Sequence, residues 1–66
     1  MHKEDIISLR KKLCLSQQAL ADLLGTTVTS VSRWENGHAK PMKVYVMILR
    51  KLSLANPGQV IFLHNP

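Results

Sequence analysis

The sequence predicts an all-α fold, a compact bundle of four to five helices that contains a helix-turn-helix. Two short segments with helical apolar spacing meet at Gly25-Thr26-Thr27, and a hydroxyl residue able to cap a helix precedes each of them. Apolar residues make up 45% of the 66 residues, which suffices for a core, and the single cysteine excludes an internal disulfide. We therefore expect one helical domain over residues 1–66.

The first two helices are predicted at 3–13 and 17–24, from apolar residues at helical spacing. Ser16 is a suitable N-cap for the second helix, and Gly25 suits the left-handed turn that ends it. The residues expected to face the core are Ile6, Leu9, Leu13 and Ile7 in the first helix, and Leu20, Leu23 and Leu24 in the second.

A third helix is predicted at 28–36, capped by Thr26 or Thr27 and ended by Asn36-Gly37. Helical periodicity turns one set of side chains towards the core: Thr27, Val31, Trp34 and Glu35. It turns the opposite set outwards: Val28, Thr29, Ser32 and Arg33. The outward side chains are small apart from Arg33 and polar apart from Val28, so this helix is suited to close approach by another molecule.

A fourth helix is predicted at 41–55, with Pro41 in its first turn. Its expected apolar stripe is Val44, Tyr45, Ile48, Leu49 and Leu52. Residues 58–64 fit either a last short helix or an extended tail. The apolar part of that tail, Val60 to Leu63, either forms a dimer seam, with Tyr45 or Met47 joining it, or covers the core of its own chain.

Charge favours a polyanionic partner, because nine Lys and Arg against four Asp and Glu give a formal charge of +5 and a pI near 9.9. The other explanation of the excess positive charge is that it only keeps the protein soluble. No signal peptide is visible and the longest apolar run has six residues, so we expect a cytoplasmic protein with no membrane contact. The acidic residues are scattered and no His or Cys pair has ligand spacing, so we expect no enzyme activity, metal or cofactor.

The spacing of three residues supports the helix-turn-helix. When Gln17 is counted as the first residue of a unit covering about 17–36, Ala21 is the fifth, Gly25 the ninth and Val31 the fifteenth. A small residue lets two helices cross closely, glycine makes the sharp turn, and a buried valine holds the second helix at its angle. Short side chains on the second helix then let its backbone approach DNA closely, and hydroxyl groups can meet base edges or phosphates.

The stretch LRKKLCLSQQALADLLGTTVTSVSRWENGHAKP, residues 9–41, resembles the Cro/C1-type (XRE-family) helix-turn-helix domain of lambdoid phage repressors and many bacterial regulators. The resemblance implies a sequence-specific transcriptional regulator, a repressor that binds a palindromic operator on double-stranded DNA as a homodimer through the major groove. Small antitoxins of toxin–antitoxin modules share this domain. An antitoxin that binds a toxin protein and autoregulates its operon is therefore the alternative, and a fragment of a larger regulator is a third possibility.

Roles follow from the resemblance at matching positions. The base-contacting residues would be Thr27, Val28, Thr29, Ser32 and Arg33, although Arg33 suits a guanine or a phosphate equally. The phosphate-contacting residues would be Arg10, Ser16, Gln17, Asn36, Gly37, Lys40 and Lys43. Arg10 and Glu35 would form a partly buried ion pair between the first and third helices. Apart from the resemblance, Trp34 is expected to fill the core, and the alternative is that its indole N–H donates to a phosphate.

Two departures from the family pattern carry consequences. Val28 and Thr29 stand where phage repressors often carry amides that read adenine, so a known operator cannot be transferred to this chain. Cys14 stands where a glycine usually closes the first helix. A left-handed backbone at that position would carry about 1 kcal/mol of strain.

Overall fold

The computed structural model describes residues 1–55, and within that range it contains four helices and no strand. The helices are α1 (Lys3–Lys12), α2 (Gln17–Leu24), α3 (Val28–Glu35) and α4 (Lys43–Leu52). The predicted all-α class is therefore confirmed. The prediction of a short helix or an extended tail at 58–64 lies outside the described residues. The same holds for the suggested dimer seam at Val60, Ile61, Phe62 and Leu63. No helix between residues 1 and 55 has the length and apolarity needed to cross a bilayer.

One face of every helix contributes to a single core. The side chains with almost no exposed surface are Ile6, Leu13, Leu20, Val31 and Leu49. Trp34 is 5% exposed and its ring lies 5.5 Å from that of Tyr45, centroid to centroid, so the aromatic residue of α3 joins the core to α4. Ala21 is also fully buried, which fits the close packing of α2 on α3. These residues fix α3 with one face turned inwards.

Hydroxyl side chains cap the two helices of the helix-turn-helix. Ser16 Oγ accepts a hydrogen bond from the backbone N–H of Ala19 at 3.0 Å, and Thr27 Oγ1 accepts one from Ser30 N–H at 3.1 Å. Each bond satisfies one of the N–H groups that a first helical turn leaves without an intrahelical partner. Both caps were predicted, with Thr27 rather than Thr26 in the second case.

Three helices end in the same way, at a residue with positive φ. These residues are Cys14 (φ 58°), Gly25 (φ 71°) and Gly37 (φ 76°). The N–H of the next residue then donates back to a carbonyl five residues earlier, at 3.0 Å for Leu15 to Arg10. This is the Schellman arrangement, which favours glycine because a Cβ is strained there. Cys14 therefore has the strained left-handed backbone that was expected at a position where the family usually has glycine.

We expect Cys14→Gly to raise the free energy of unfolding by about 0.5–1 kcal/mol, because it removes left-handed strain from an exposed position. Gly25→Ala is the matched opposite. A Cβ on Gly25 would have no atom within 4 Å, so only backbone strain opposes it, and a loss of about 1 kcal/mol is expected. Urea unfolding of both variants measures these changes. Equal or lower stability of Cys14→Gly would contradict the prediction, because the strain at Cys14 would then be no larger than the unfolded-state entropy that glycine adds.

Several sequence-based placements were wrong at the ends of the helices. Val44 is 53% exposed, because the inward line of α4 runs through Tyr45, Ile48, Leu49 and Leu52, and Val44 lies at its edge. Pro41 precedes α4, which starts at Lys43 after an extended Met42, and the helix ends at Leu52. Thr27 is exposed because its extended backbone places it before α3, where helical periodicity does not apply. Leu23 is half-buried and packs against the core, as predicted, and Ile7 is half-buried.

Candidate nucleic-acid interface

The outer face of α3 is open to solvent while its inner face is locked in the core. Val28, Thr29 and Arg33 are exposed and Ser32 is half-buried, at the i, i+1, i+5 and i+4 positions of one helical face. On the other side Val31, Trp34 and Glu35 are buried. The outward face named from the sequence is thus a continuous surface, and none of its exposed members is needed to fill the core.

An ion pair ties α3 to α1 and α2. Arg10 Nε donates to Glu35 Oε2 at 2.7 Å and Arg10 Nη2 to Glu35 Oε1 at 2.9 Å, so the pair is bidentate. Arg10 Nη1 also donates to the carbonyl of Leu15 at 3.0 Å, and Gln17 Nε2 donates to Glu35 Oε1 at 3.2 Å. One buried carboxylate therefore connects the end of α3 to α1 and to the first turn of α2.

The same network sets the charge state of Glu35. Burial raises the pKa of the Glu35 carboxyl, but the hydrogen bonds from Arg10 and Gln17, with the charges of Arg10 and Lys11, outweigh burial and bring it below the usual value. The hydrogen bond to Glu35 raises the pKa of Arg10, which stays charged. Glu35 is hence ionised at neutral pH, and Arg10 has a fixed orientation.

Several predicted DNA-contacting side chains already hold hydrogen bonds inside the chain. Thr27 donates its hydroxyl to Ser30 Oγ at 3.0 Å. Asn36 Nδ2 donates to the carbonyl of Ser32 at 2.8 Å and to Ser32 Oγ at 3.3 Å. Ser16 only accepts in its cap, so its own hydroxyl proton stays available. Among the base-facing candidates, Val28, Thr29 and Arg33 have no such internal bond among residues 1–55.

Two backbone N–H groups in the loop after α3 are bonded to α3 itself. The N–H of Gly37 donates to Trp34 O at 3.2 Å and that of His38 to Arg33 O at 2.9 Å, so both belong to the helix ending. Within the described residues, the N–H groups of Ala39 and Lys40 have no acceptor. Sequence reasoning missed Ala39 because only the Schellman geometry shows which loop amides are left over.

Basic side chains flank this loop. Lys40 and Lys43 are exposed, and Lys43 begins α4. At the start of α2, the N–H groups of Gln17 and Gln18 have no backbone acceptor, as in any first helical turn, and the positive end of the helix dipole lies there. Amides without a backbone acceptor among residues 1–55 thus lie at the start of α2 and in the loop after α3, where exposed ammonium groups accompany them, and such groups suit phosphate oxygens.

Comparison with known proteins identifies the family. Residues 6–53 match the family model described as helix-turn-helix. The chain belongs to this helix-turn-helix family. The match covers α2, α3, α4 and all but the first three residues of α1, confirms the resemblance to Cro/C1-type domains, and supports a DNA-binding regulator rather than an enzyme. In the described part of this helix-turn-helix protein, no group of three or more His, Cys, Asp or Glu side chains could hold a metal ion.

A curated relative of this helix-turn-helix chain is the antitoxin MqsA of Escherichia coli strain K12. The two are 39% identical over 49 residues, which is 74% of this chain and 37% of the relative. The aligned part therefore spans little more than a third of the relative's length. No solved structure matched the chain.

Proposed function

We propose that this protein is a sequence-specific DNA-binding transcriptional repressor that places α3 in the major groove. The observation that carries the proposal is the two-sided nature of α3. Its inner face is fixed by Val31, Trp34 and the Arg10–Glu35 pair, while its outer face is exposed and small enough to approach base edges. The net charge of +5 attracts the duplex.

Base reading belongs to the exposed face in this proposal. Arg33 donates two N–H groups to guanine O6 and N7, Thr29 bonds a base edge, and Val28 contacts a thymine methyl. Ser32 and Thr27 lie at the margins of the face and contact bases after exchanging internal hydrogen bonds. The operator then contains a guanine opposite Arg33.

Phosphate contacts surround that face. The proposed set is Arg10, Ser16, Gln17, Asn36, Lys40 and Lys43; Gly37 is left out because its N–H already donates to Trp34 O. Ser16 and Gln17 lie at the positive end of α2, and Lys40 and Lys43 border the loop after α3. Arg10 and Gln17 contribute those N–H groups that Glu35 does not occupy, so the network that orients α3 also orients two phosphate donors. The N–H of Ala39, which has no acceptor among residues 1–55, joins the loop contacts.

A homodimer on a palindromic operator is the assembly that this domain size favours. One small domain buries too little DNA surface for tight binding, and pairing two of them doubles it. The half-sites would then lie about 34 Å apart, one turn of the duplex. Exposed apolar side chains on α4, Val44 and Met47, offer surface for a partner protomer.

Selection of bound sequences from a pool of random duplexes tests the proposal. We expect enrichment of an inverted repeat. We also expect the logarithm of the association constant to fall linearly with the logarithm of salt concentration, with a slope of about −0.9 per phosphate contact. A selection that enriches nothing, or affinity that ignores salt, would contradict the proposed mode of binding.

An antitoxin is the second candidate, and the likeness to antitoxin MqsA favours it. The partner would be a toxin protein, and the exposed apolar residues in and next to α4 would provide the contact surface: Met42, Val44, Met47 and Leu54. In that case a neighbouring gene should arrest growth when expressed alone and be tolerated when this chain is co-expressed. A neighbouring gene without such an effect would leave the regulator as the function.

A further inference from the structure

The start of α1 and the loop after α3 share the walls of a surface groove of about 360 Å³. Trp34 and Ile6 line it on the core side, and Lys3, Gly37 and Lys40 line it towards solvent. Residues 3 and 37 are far apart in sequence, so nothing in the chain's local pattern brings Lys3 to this loop. The loop is the one to which the proposed function assigns phosphate contacts.

Lys3 lies directly against Gly37. A Cβ placed on Gly37 would be 3.3 Å from Lys3 Cδ and 3.8 Å from Lys3 Nζ, so the ammonium group sits over the loop backbone where glycine leaves room. Within residues 1–55, Lys3 has no acidic partner within 4.0 Å and makes no side-chain hydrogen bond. Its three N–H donors are therefore free beside the loop.

The charge balance of the groove depends on Lys3. Glu4 borders the same groove and opposes an anion, while Lys3 and Lys40 favour one. Two side-chain ammonium groups and the α-amino group of Met1 stand against one carboxylate, and Lys3 supplies one of these three positive charges. An exposed lysine is ordinarily a solvated surface charge, but this one is held against Gly37 in the proposed phosphate-binding loop.

We propose that Lys3 is a phosphate-binding residue that extends the DNA-backbone contact of the loop after α3, an inference that rests on the proposed function. The ligand is a phosphodiester oxygen of duplex DNA, held between Lys3, Lys40 and the free loop amides. Because an ammonium group contacts phosphate without reading sequence, Lys3 contributes equally to operator and non-operator duplexes.

Fluorescence anisotropy with a selected operator duplex and a scrambled duplex, at several salt concentrations, tests this role. For Lys3→Gln we expect affinity to drop roughly fivefold to tenfold at 0.1 M salt for both duplexes, and the salt slope to flatten by about 0.9. Lys3→Arg should restore both values. The matched control is Lys51→Gln, which removes an exposed charge eight residues along α4 from Lys43 and leaves the slope unchanged.

The outcomes separate the two proposals. If the natural chain binds duplex and Lys3→Gln keeps its slope, or loses no more affinity than Lys51→Gln, the assignment of Lys3 is wrong and the proposed function stands. If the natural chain binds neither duplex, both are overturned. Coincident thermal melting of Lys3→Gln and the natural chain excludes a folding effect, since Lys3 is exposed.

Discussion

Glu35→Ala is expected to lower the free energy of unfolding by about 3 kcal/mol, because it leaves the largely buried Arg10 guanidinium without its bidentate partner. A domain of 66 residues has a total stability of only about 3–10 kcal/mol, so a large fraction of the variant should be unfolded at moderate temperature. Circular dichroism during urea or thermal unfolding measures the change.

The double variant Arg10→Met, Glu35→Leu is the matched control. It replaces both charges with apolar side chains of similar volume, so stability should return to within about 1 kcal/mol of the natural chain. DNA affinity should stay reduced, because Arg10 no longer contributes to phosphate binding. A Glu35→Ala protein that melts with the natural chain would show that the pair has no structural role.

Acid should weaken the same interaction. The pKa of Glu35 lies below its usual value in the folded state, so the free energy that this carboxylate contributes is complete above about pH 4.5 and is lost as pH falls through the folded pKa. Compared with Glu35→Gln, the natural chain should therefore lose its stability advantage on acidification. If the free energies of unfolding of the natural chain and of Glu35→Gln differed by the same amount down to pH 2, the lowered pKa of Glu35 would be contradicted.

Arg33→Ala is expected to reduce affinity for the selected operator about tenfold to a hundredfold while leaving scrambled duplex nearly unaffected, since a bidentate contact to guanine contributes about 1–3 kcal/mol of discrimination. Arg33 is exposed and contributes nothing to the core, so the variant should fold normally. Operator-to-scrambled affinity ratios, measured side by side, report the effect. Enrichment should also relax at the guanine position when selection is repeated with the variant.

Lys40→Ala is the matched comparison, because Lys40 is an exposed cation of the flanking loop. It should weaken both duplexes alike, with a salt slope flatter by about 0.9 and an unchanged ratio. An Arg33→Ala protein that behaves in this way, with its ratio preserved, would place Arg33 on a phosphate instead of a base.

Local rules predicted much of this fold from the sequence. Ser16, Thr27 and Gly25 are each specified by a short-range requirement, either a capping oxygen or a left-handed turn, so their positions in the chain indicate their structures. Periodicity likewise placed Val31 and Trp34 in the core, because a helical repeat inside α3 is regular. It misplaced Val44 and Thr27, which lie at helix edges and ends where the repeat does not decide burial.

The candidate site depended more on contacts between distant segments. The Arg10–Glu35 pair was named through a family resemblance, whereas the bond from Gln17 to Glu35 had no sequence signal. The approach of Lys3 to Gly37 and the free N–H of Ala39 likewise result from how α1 packs beside the end of α3. These details depend on tertiary packing and on which donors find acceptors in the folded chain, and neither can be read from the sequence pattern.

The exposed and buried faces of α3 consist of different residues, and this matters for protein engineering. Val28, Thr29 and Arg33 protrude from a framework that is held by other side chains, so a library randomised at these three positions should remain folded in most of its members. New DNA-binding preferences are then obtainable by substituting the exposed residues of α3 without changing the core that supports the helix. The same independence lets related sequences drift towards different operators while their architecture stays constant.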